Sequence, residues 1–116
     1  MITGKEMNLI IYQYIGFRNS RWGNFTTQSY KEFLADYCAI EIEENVLQVS
    51  IKQHFIKILH NSSNQLQAKI IKGVLKKFPA SYFPLKEQEK KAKVRSELED
   101  IITKLEKEDA TTMLTE

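Results

Sequence analysis

A helix-capping pattern that occurs four times constrains the fold of this 116-residue chain more than any other feature. In a capping box, a Ser, Thr or Asn side chain accepts a hydrogen bond from a free backbone N–H of the first helical turn. A Glu or Gln three residues later reaches back to the residue before the helix. Four such pairs each precede an apolar run: Thr3 with Glu6, Ser29 with Glu32, Ser50 with Gln53, and Asn64 with Gln67. The repetition predicts an all-α fold.

The apolar spacing that follows each cap predicts four helices. They cover about residues 4–15, 30–38, 51–60 and 65–78, with Gly16 ending the first and Pro79 the last. The first helix has almost no polar face, so we expect it to be the central, most buried element. The sequence therefore predicts a compact four-helix domain over about residues 3–79.

A long polar helix is predicted to follow over about residues 85–107. Its apolar positions step by 4, 3 and 4 residues, the spacing of a short coiled-coil seam: Val94, Leu98, Ile101 and Leu105. These four side chains are a candidate surface for binding a partner or a second copy. The predicted organisation is a helical domain over residues 1–84, then a long helix with a frayed tail over residues 85–116.

The stretch around residues 38–49 does not follow the helical pattern. Apolar and polar residues alternate there with a period of two around Glu44 and Asn45, which is typical of a small β-hairpin. An extended connector or a short helix is the favoured alternative.

Charge and composition narrow the class of protein. The net charge of +2 is too small to imply an electrostatic partner, although no acidic residue lies between Glu44 and Glu87. Cys38 is the only cysteine, so neither an internal disulfide nor a cysteine-based metal site is expected. The start lacks a secretory pattern, and no apolar run approaches the ~20 residues of a membrane span. We expect a cytoplasmic domain that contacts no membrane.

Candidate catalytic groups are few. His54 and His60 lie six residues apart, about 120° around a helix, and cannot bind one metal ion from one face. His54 is expected at the edge of a helix face and His60 in solvent. Cys38 lies on the apolar side of the second helix, where a thiol behaves as a small buried hydrophobe. The sequence therefore predicts a non-enzymatic protein with no cofactor, metal site or small-molecule substrate.

The loop after the first helix is one candidate binding surface. It places Arg18, Arg21 and Trp22 together, and Arg and Trp are enriched at interface hot spots. In the alternative, Trp22 and Phe25 fold back onto the core as a lid. We favour that alternative for Phe25 and leave both open for Trp22.

The fourth helix carries a second candidate surface. Lys69, Lys72 and Lys76 cluster on its polar side with Lys77 at the edge, which predicts contacts with phosphate or nucleic acid. The alternative is an ordinary solvated face. Gly73 lies beside this stripe, and a glycine within a helix suggests the close approach of another element, such as a neighbouring helix.

A series of short motifs runs through residues 8–79 in a fixed order. They are Tyr14-Ile15-Gly16, Trp22-Gly23-Asn24-Phe25, Tyr37-Cys38, Phe55-Ile56-Lys57-Ile58-Leu59 and Gln67-Ala68-Lys69-Ile70-Ile71-Lys72-Gly73-Val74-Leu75, followed by Phe78-Pro79. With this series the chain resembles the third class of small helical N-terminal domains first described in the bacterial abortive infection protein AbiJ.

The resemblance implies a domain that senses, recruits or regulates in anti-phage defence, and it carries over no catalytic residue. Such domains usually precede a toxic effector, whereas here one helix follows Pro79. The expectation is an interaction module that docks a protein effector or a second copy of itself. The alternative is a nucleic-acid sensor that uses the basic face of the fourth helix together with Arg18 and Arg21.

Overall fold

The computed structural model describes residues 1–42 and 50–115, with the side chains of the last helix described through Glu108. The first helix is α1 (Gly4–Asn8), which continues without a break as a π-helix (Leu9–Ile15). Two short strands, β1 (Phe17–Arg18) and β2 (Arg21–Trp22), come next. The remaining helices are α2 (Thr27–Cys38), α3 (Ile51–Asn61), α4 (Asn64–Lys77), a 3₁₀ turn (Ala80–Tyr82) and α5 (Leu85–Thr115). The predicted all-α class and the long C-terminal helix are confirmed.

Two of the four predicted caps start their helices. Thr3 and Glu6 form a complete capping box, in which Thr3 Oγ1 accepts from the Glu6 N–H and the Glu6 carboxylate accepts from the Thr3 N–H. Ser50 accepts from the backbone N–H of Gln53 and starts α3.

The other two predicted caps are wrong. Helix α2 starts three residues earlier than predicted because Thr26 is its cap and Ser29 is the residue that reaches back. Ser63 caps α4 in place of Asn64. In both places a hydroxyl residue upstream of the predicted cap accepts the capping hydrogen bond, so the helix starts earlier than predicted.

The first helix is less uniformly buried than its composition predicts. No side chain of α1 is buried, whereas Ile10, Ile11, Tyr14 and Ile15 of the π-helix are. The wider π-helical turn leaves Tyr12 in solvent at 48% exposure. The central element is therefore the second half of the predicted helix.

Helix α5 packs along α4 and the π-helix and completes the core. The four seam side chains are buried there with those of the other helices: Val94, Leu98, Ile101 and Leu105. They line an intramolecular packing face, so they are not available as the docking surface that was predicted. The predicted boundary at residue 84 marks a change of element within one shared core.

Two cations of α5 hold it against the ends of other helices. Lys91 Nζ donates to the carbonyl oxygens of Gln13 and Tyr14, at 2.8 and 2.6 Å. Arg95 Nη1 donates to the Leu75 and Phe78 carbonyls, both at 3.0 Å, and to the Tyr14 hydroxyl at 2.6 Å. Both cations thus satisfy carbonyls at the negative ends of helices.

The hairpin predicted around residues 38–49 has its centre at residues 43–49, which lie outside the described residues. In the described part of the chain, β1 and β2 form the hairpin, within the loop that carries Arg18, Arg21 and Trp22.

Candidate functional site: the hairpin surface

The β1–β2 hairpin is held by a tight two-residue turn. Phe17 pairs with Trp22 and Arg18 pairs with Arg21 in antiparallel register. Asn19 and Ser20 between them both have positive φ, 53° and 62°. This is the turn geometry whose twist matches that of paired strands, and Asn tolerates it well. The sequence contains the Asn signal, but without a following Gly the hairpin was not predicted.

Trp22 is buried and anchors the hairpin to the core. It is 5% exposed, and its indole N–H donates to the Ile11 carbonyl oxygen at 3.0 Å. Its ring packs on Phe25 and Phe55, with centroids 5.7 and 5.2 Å away. The proposal that Trp22 contacts a partner directly is therefore wrong, because the indole has its polar and apolar partners inside the molecule.

Phe25 acts as the lid that the sequence predicts. It is 3% exposed and lies among the rings of Tyr30, Phe33 and Phe78, with centroids 5.4–5.6 Å apart. Together Trp22 and Phe25 turn the hairpin into a rigid part of the core surface.

The two arginines of the hairpin have different surroundings. Arg18 stacks over the Tyr82 ring at 5.2 Å and lies 3.8 Å from the Glu87 carboxylate, so it ties the hairpin to the start of α5. Arg21 is exposed, and among the described residues it forms no ion pair. Of the three predicted loop residues, Arg21 is the one that is exposed and has no ion pair among the described residues.

Two exposed aromatic rings share one ammonium group beside the hairpin. Lys52 Nζ lies 5.1 Å from the ring centroid of Tyr12 and 5.6 Å from that of Phe17. It also donates to the Tyr12 hydroxyl at 3.1 Å. Phe17 is 59% exposed, an unusual position for a phenyl ring. We call Tyr12, Phe17 and Lys52 the hairpin surface.

Most of this surface has no local signal in the sequence. Tyr12 lies in a segment with almost no polar face, and its side chain is exposed in the π-helix. Lys52 lies 40 residues from Tyr12 in sequence, so no local pattern links them. The one available signal was Lys52 itself, a cation in the first turn of α3, where it adds to the positive end of the helix dipole.

The basic stripe of α4 lies on the exterior, as predicted. Lys69, Lys72 and Lys76 are exposed and Lys77 is half-buried. Lys72 forms an ion pair with Glu106 of α5, so part of the positive charge is balanced within the molecule. Nucleic-acid binding by this stripe stays a prediction.

Gly73 is where a neighbouring helix approaches, as its position suggested. A Cβ atom built there would lie 3.1 Å from Cys38 Sγ, from Tyr37 Cβ and from the Tyr37 carbonyl oxygen. Because part of that contact is backbone, the end of α2 could not move aside easily. The glycine therefore sets the distance between α2 and α4.

The buried titratable groups are satisfied by the core. The Tyr30 hydroxyl lies 2.7 Å from His54 Nδ1. Burial lowers the pKa of His54, and the positive charge of Lys57 lowers it further. Burial raises the pKa of the Tyr30 hydroxyl, and the neighbouring Cys38 adds to this effect.

Cys38 is a buried thiol, as predicted. Burial raises its pKa to about 12, against a smaller lowering by the charge of Lys69. A thiol with such a pKa stays protonated at neutral pH and is a poor nucleophile.

Within residues 1–42 and 50–108, no three side chains of His, Cys, Asp or Glu are grouped so that they could hold a metal ion. None of the described helices combines the length and the apolar character that a membrane crossing requires. Comparisons with protein-family models, with curated proteins and with solved structures find no match to this chain.

Proposed function

We propose that this chain is a non-enzymatic helical recognition module of a bacterial anti-phage abortive infection system. It acts in the cytoplasm, recruits or regulates an effector, and recognises its ligand through the hairpin surface. The observation that carries the proposal is the exposed pair of aromatic rings, Tyr12 and Phe17, around the Lys52 ammonium. Solvated aromatic and cationic side chains of this kind are typical of recognition sites.

The way in which the hairpin surface is held supports this role. Its hairpin is fixed by the Trp22 indole, and its lysine stands on a helix whose Phe55 packs in the core. A partner would therefore meet side chains that are already in place, which lowers the entropy lost on binding.

The resemblance to AbiJ N-terminal domains supplies the biological context of the proposal. Residues 67–75, the most specific part of this resemblance, have structural roles in this chain. Gln67 is fully buried, where its amide donates to the Leu59 carbonyl and accepts from the Ile2 N–H, and Gly73 receives α2. If the residues shared with this family are structural, its members can have the same fold and differ in their exposed surfaces.

The test is protection against phage in a bacterial host that carries the chain with its neighbouring genes. Phe17→Ala and Tyr12→Ala should each reduce protection at least tenfold in plating efficiency, since each removes an exposed ring of the hairpin surface. Tyr37→Ala is the matched control, because Tyr37 is 39% exposed but lies on α2. The proposal fails if the wild-type chain gives no protection, or if all three variants protect as well as wild type.

A further inference from the structure

We infer that the hairpin surface binds single-stranded nucleic acid, with bases stacked on Tyr12 and Phe17 and a phosphate held by Lys52. This inference rests on the proposed function because it concerns the same surface, and it identifies the ligand that binds there. The ligand class follows from three properties of the surface: its rings, its charge and its shape.

The rings are exposed in a way that suits stacking. Tyr12 and Phe17 are 48% and 59% exposed, so both side chains are accessible from solvent beside the Lys52 ammonium. Every nucleobase has a flat π-face, and base–aromatic stacking is the sequence-tolerant contact by which proteins hold single strands. A base in a duplex has both faces covered, so these rings favour unpaired nucleotides.

The charge at the rings is positive. Lys52 forms no ion pair within the described part of the chain. The Lys52 ammonium is within 5.6 Å of both ring centroids, so one group can meet a phosphate while the bases stack. The start of α3 adds the positive end of its dipole at the same place.

The shape of the surface favours a nucleic acid over an acidic peptide. A peptide bound to a sheet edge gains affinity from a ladder of backbone hydrogen bonds, and β1 and β2 have only two residues each. A nucleotide needs no ladder, because each unit brings its own planar ring and its own negative charge.

The experiment is fluorescence anisotropy with the full chain and a fluorescein-labelled oligothymidylate of about 12 nucleotides, within the usual range of single-strand site sizes. Phe17→Ala and Tyr12→Ala should each weaken binding about tenfold, as expected for the loss of one stacked base. Phe17→Tyr should retain binding, because it keeps an aromatic ring. Annealing the probe to its complement should abolish most of the binding.

The cationic contacts are tested by salt. Between about 50 and 200 mM salt, Lys52→Ala should make the slope of log K against log salt shallower by about 0.7, the value for one single-strand phosphate contact. Lys57→Ala is the matched control, since Lys57 is exposed on the same helix. A combined Lys69→Ala, Lys72→Ala and Lys76→Ala variant should bind within about twofold of wild type.

Three results would overturn the inference. They are no binding of the probe, equal binding of the duplex, or weakening by the α4 lysine variant with none by Phe17→Ala. If the probe does not bind but Phe17→Ala still abolishes phage protection, the nucleic-acid ligand is wrong and the proposed function stands. If the probe binds as expected but protection is unaffected by both Phe17→Ala and Tyr12→Ala, the proposed function is wrong and the ligand stands.

Discussion

Buried polar side chains have specific hydrogen-bond partners within this core. His54 is the clearest case, because its imidazole is 7% exposed and its Nδ1 lies 2.7 Å from the Tyr30 hydroxyl. The direction of this hydrogen bond depends on the tautomer: the Tyr30 hydroxyl donates to an unprotonated Nδ1, whereas a protonated Nδ1 donates to the hydroxyl oxygen. Burial favours the neutral imidazole in either case.

We expect the free energy of unfolding to fall as the solution is acidified below about pH 6.5. The pKa of His54 is lower in the folded protein than its usual value of about 6.5, so the unfolded chain binds the proton first. The stability linked to His54 is present above pH ~6.5 and is lost as the pH falls toward the folded pKa. Urea unfolding at about pH 7.5 and about pH 5.5 measures the difference.

His54→Gln should reduce this pH dependence, because the substituted side chain does not titrate. His60→Gln, at an exposed histidine near the end of the same helix, is the control and should keep it. An unchanged pH dependence in His54→Gln would show that other groups cause the loss.

At the scale of elements, α5 stabilises the ends of two other helices. Arg95 reaches the last carbonyls of α4, and Lys91 reaches those of the π-helix. The two cations lie four residues apart on the face that also carries Val94 and Leu98. They combine packing with the compensation of two helix dipoles. The Tyr14 hydroxyl joins this arrangement by donating to the Phe78 carbonyl.

Arg95→Met should lower the free energy of unfolding by about 1.5–3 kcal/mol, the range for losing hydrogen bonds from a charged donor. The methionine keeps much of the apolar stem but leaves the Leu75 carbonyl without this donor. Lys93→Met, at an exposed position on α5, removes the same charge and should change stability by less than about 0.5 kcal/mol. Urea denaturation monitored by circular dichroism compares the two, and equal effects would contradict a capping role for Arg95.

At the scale of the whole molecule, α5 closes a single core. Its buried side chains join one continuous cluster with those of the π-helix, α2, α3 and α4. The N-terminus is also held to α5, because Glu6 accepts two hydrogen bonds from Lys104 Nζ, at 2.7 and 2.8 Å. Burial raises the pKa of Glu6, but its contacts with Lys104 and Thr3 outweigh that effect and lower the pKa overall.

Leu98→Ala should therefore destabilise the protein without changing its oligomeric state. Leu98 is fully buried, and removing a buried leucine side chain typically costs about 2–5 kcal/mol. Leu85→Ala is the control, since Leu85 is 84% exposed at the start of the same helix. Light scattering after size-exclusion chromatography should give the same mass for both variants and for wild type. A loss of mass in Leu98→Ala would show that the seam holds two copies together.

The local sequence determined the class of fold and most of the helix positions. Caps and apolar spacing are read within a few residues, and α3, α4 and α5 begin within one residue of their predicted starts. Errors occurred where two residues that can cap a helix lie close together, as with Thr26 and Ser29 or Ser63 and Asn64. The burial of Cys38 and the close contact at Gly73 also followed from local pattern.

The tertiary structure alone decided which apolar side chains face solvent. Trp22 is buried, and the Ile11 carbonyl accepts its indole N–H. The α5 seam is buried because it packs against the apolar face of the other helices. Tyr12, Phe17 and Lys52 meet on the surface although they are remote in sequence. Burial and ring contacts depend on what packs from elsewhere in the chain, so periodicity within one helix cannot determine them.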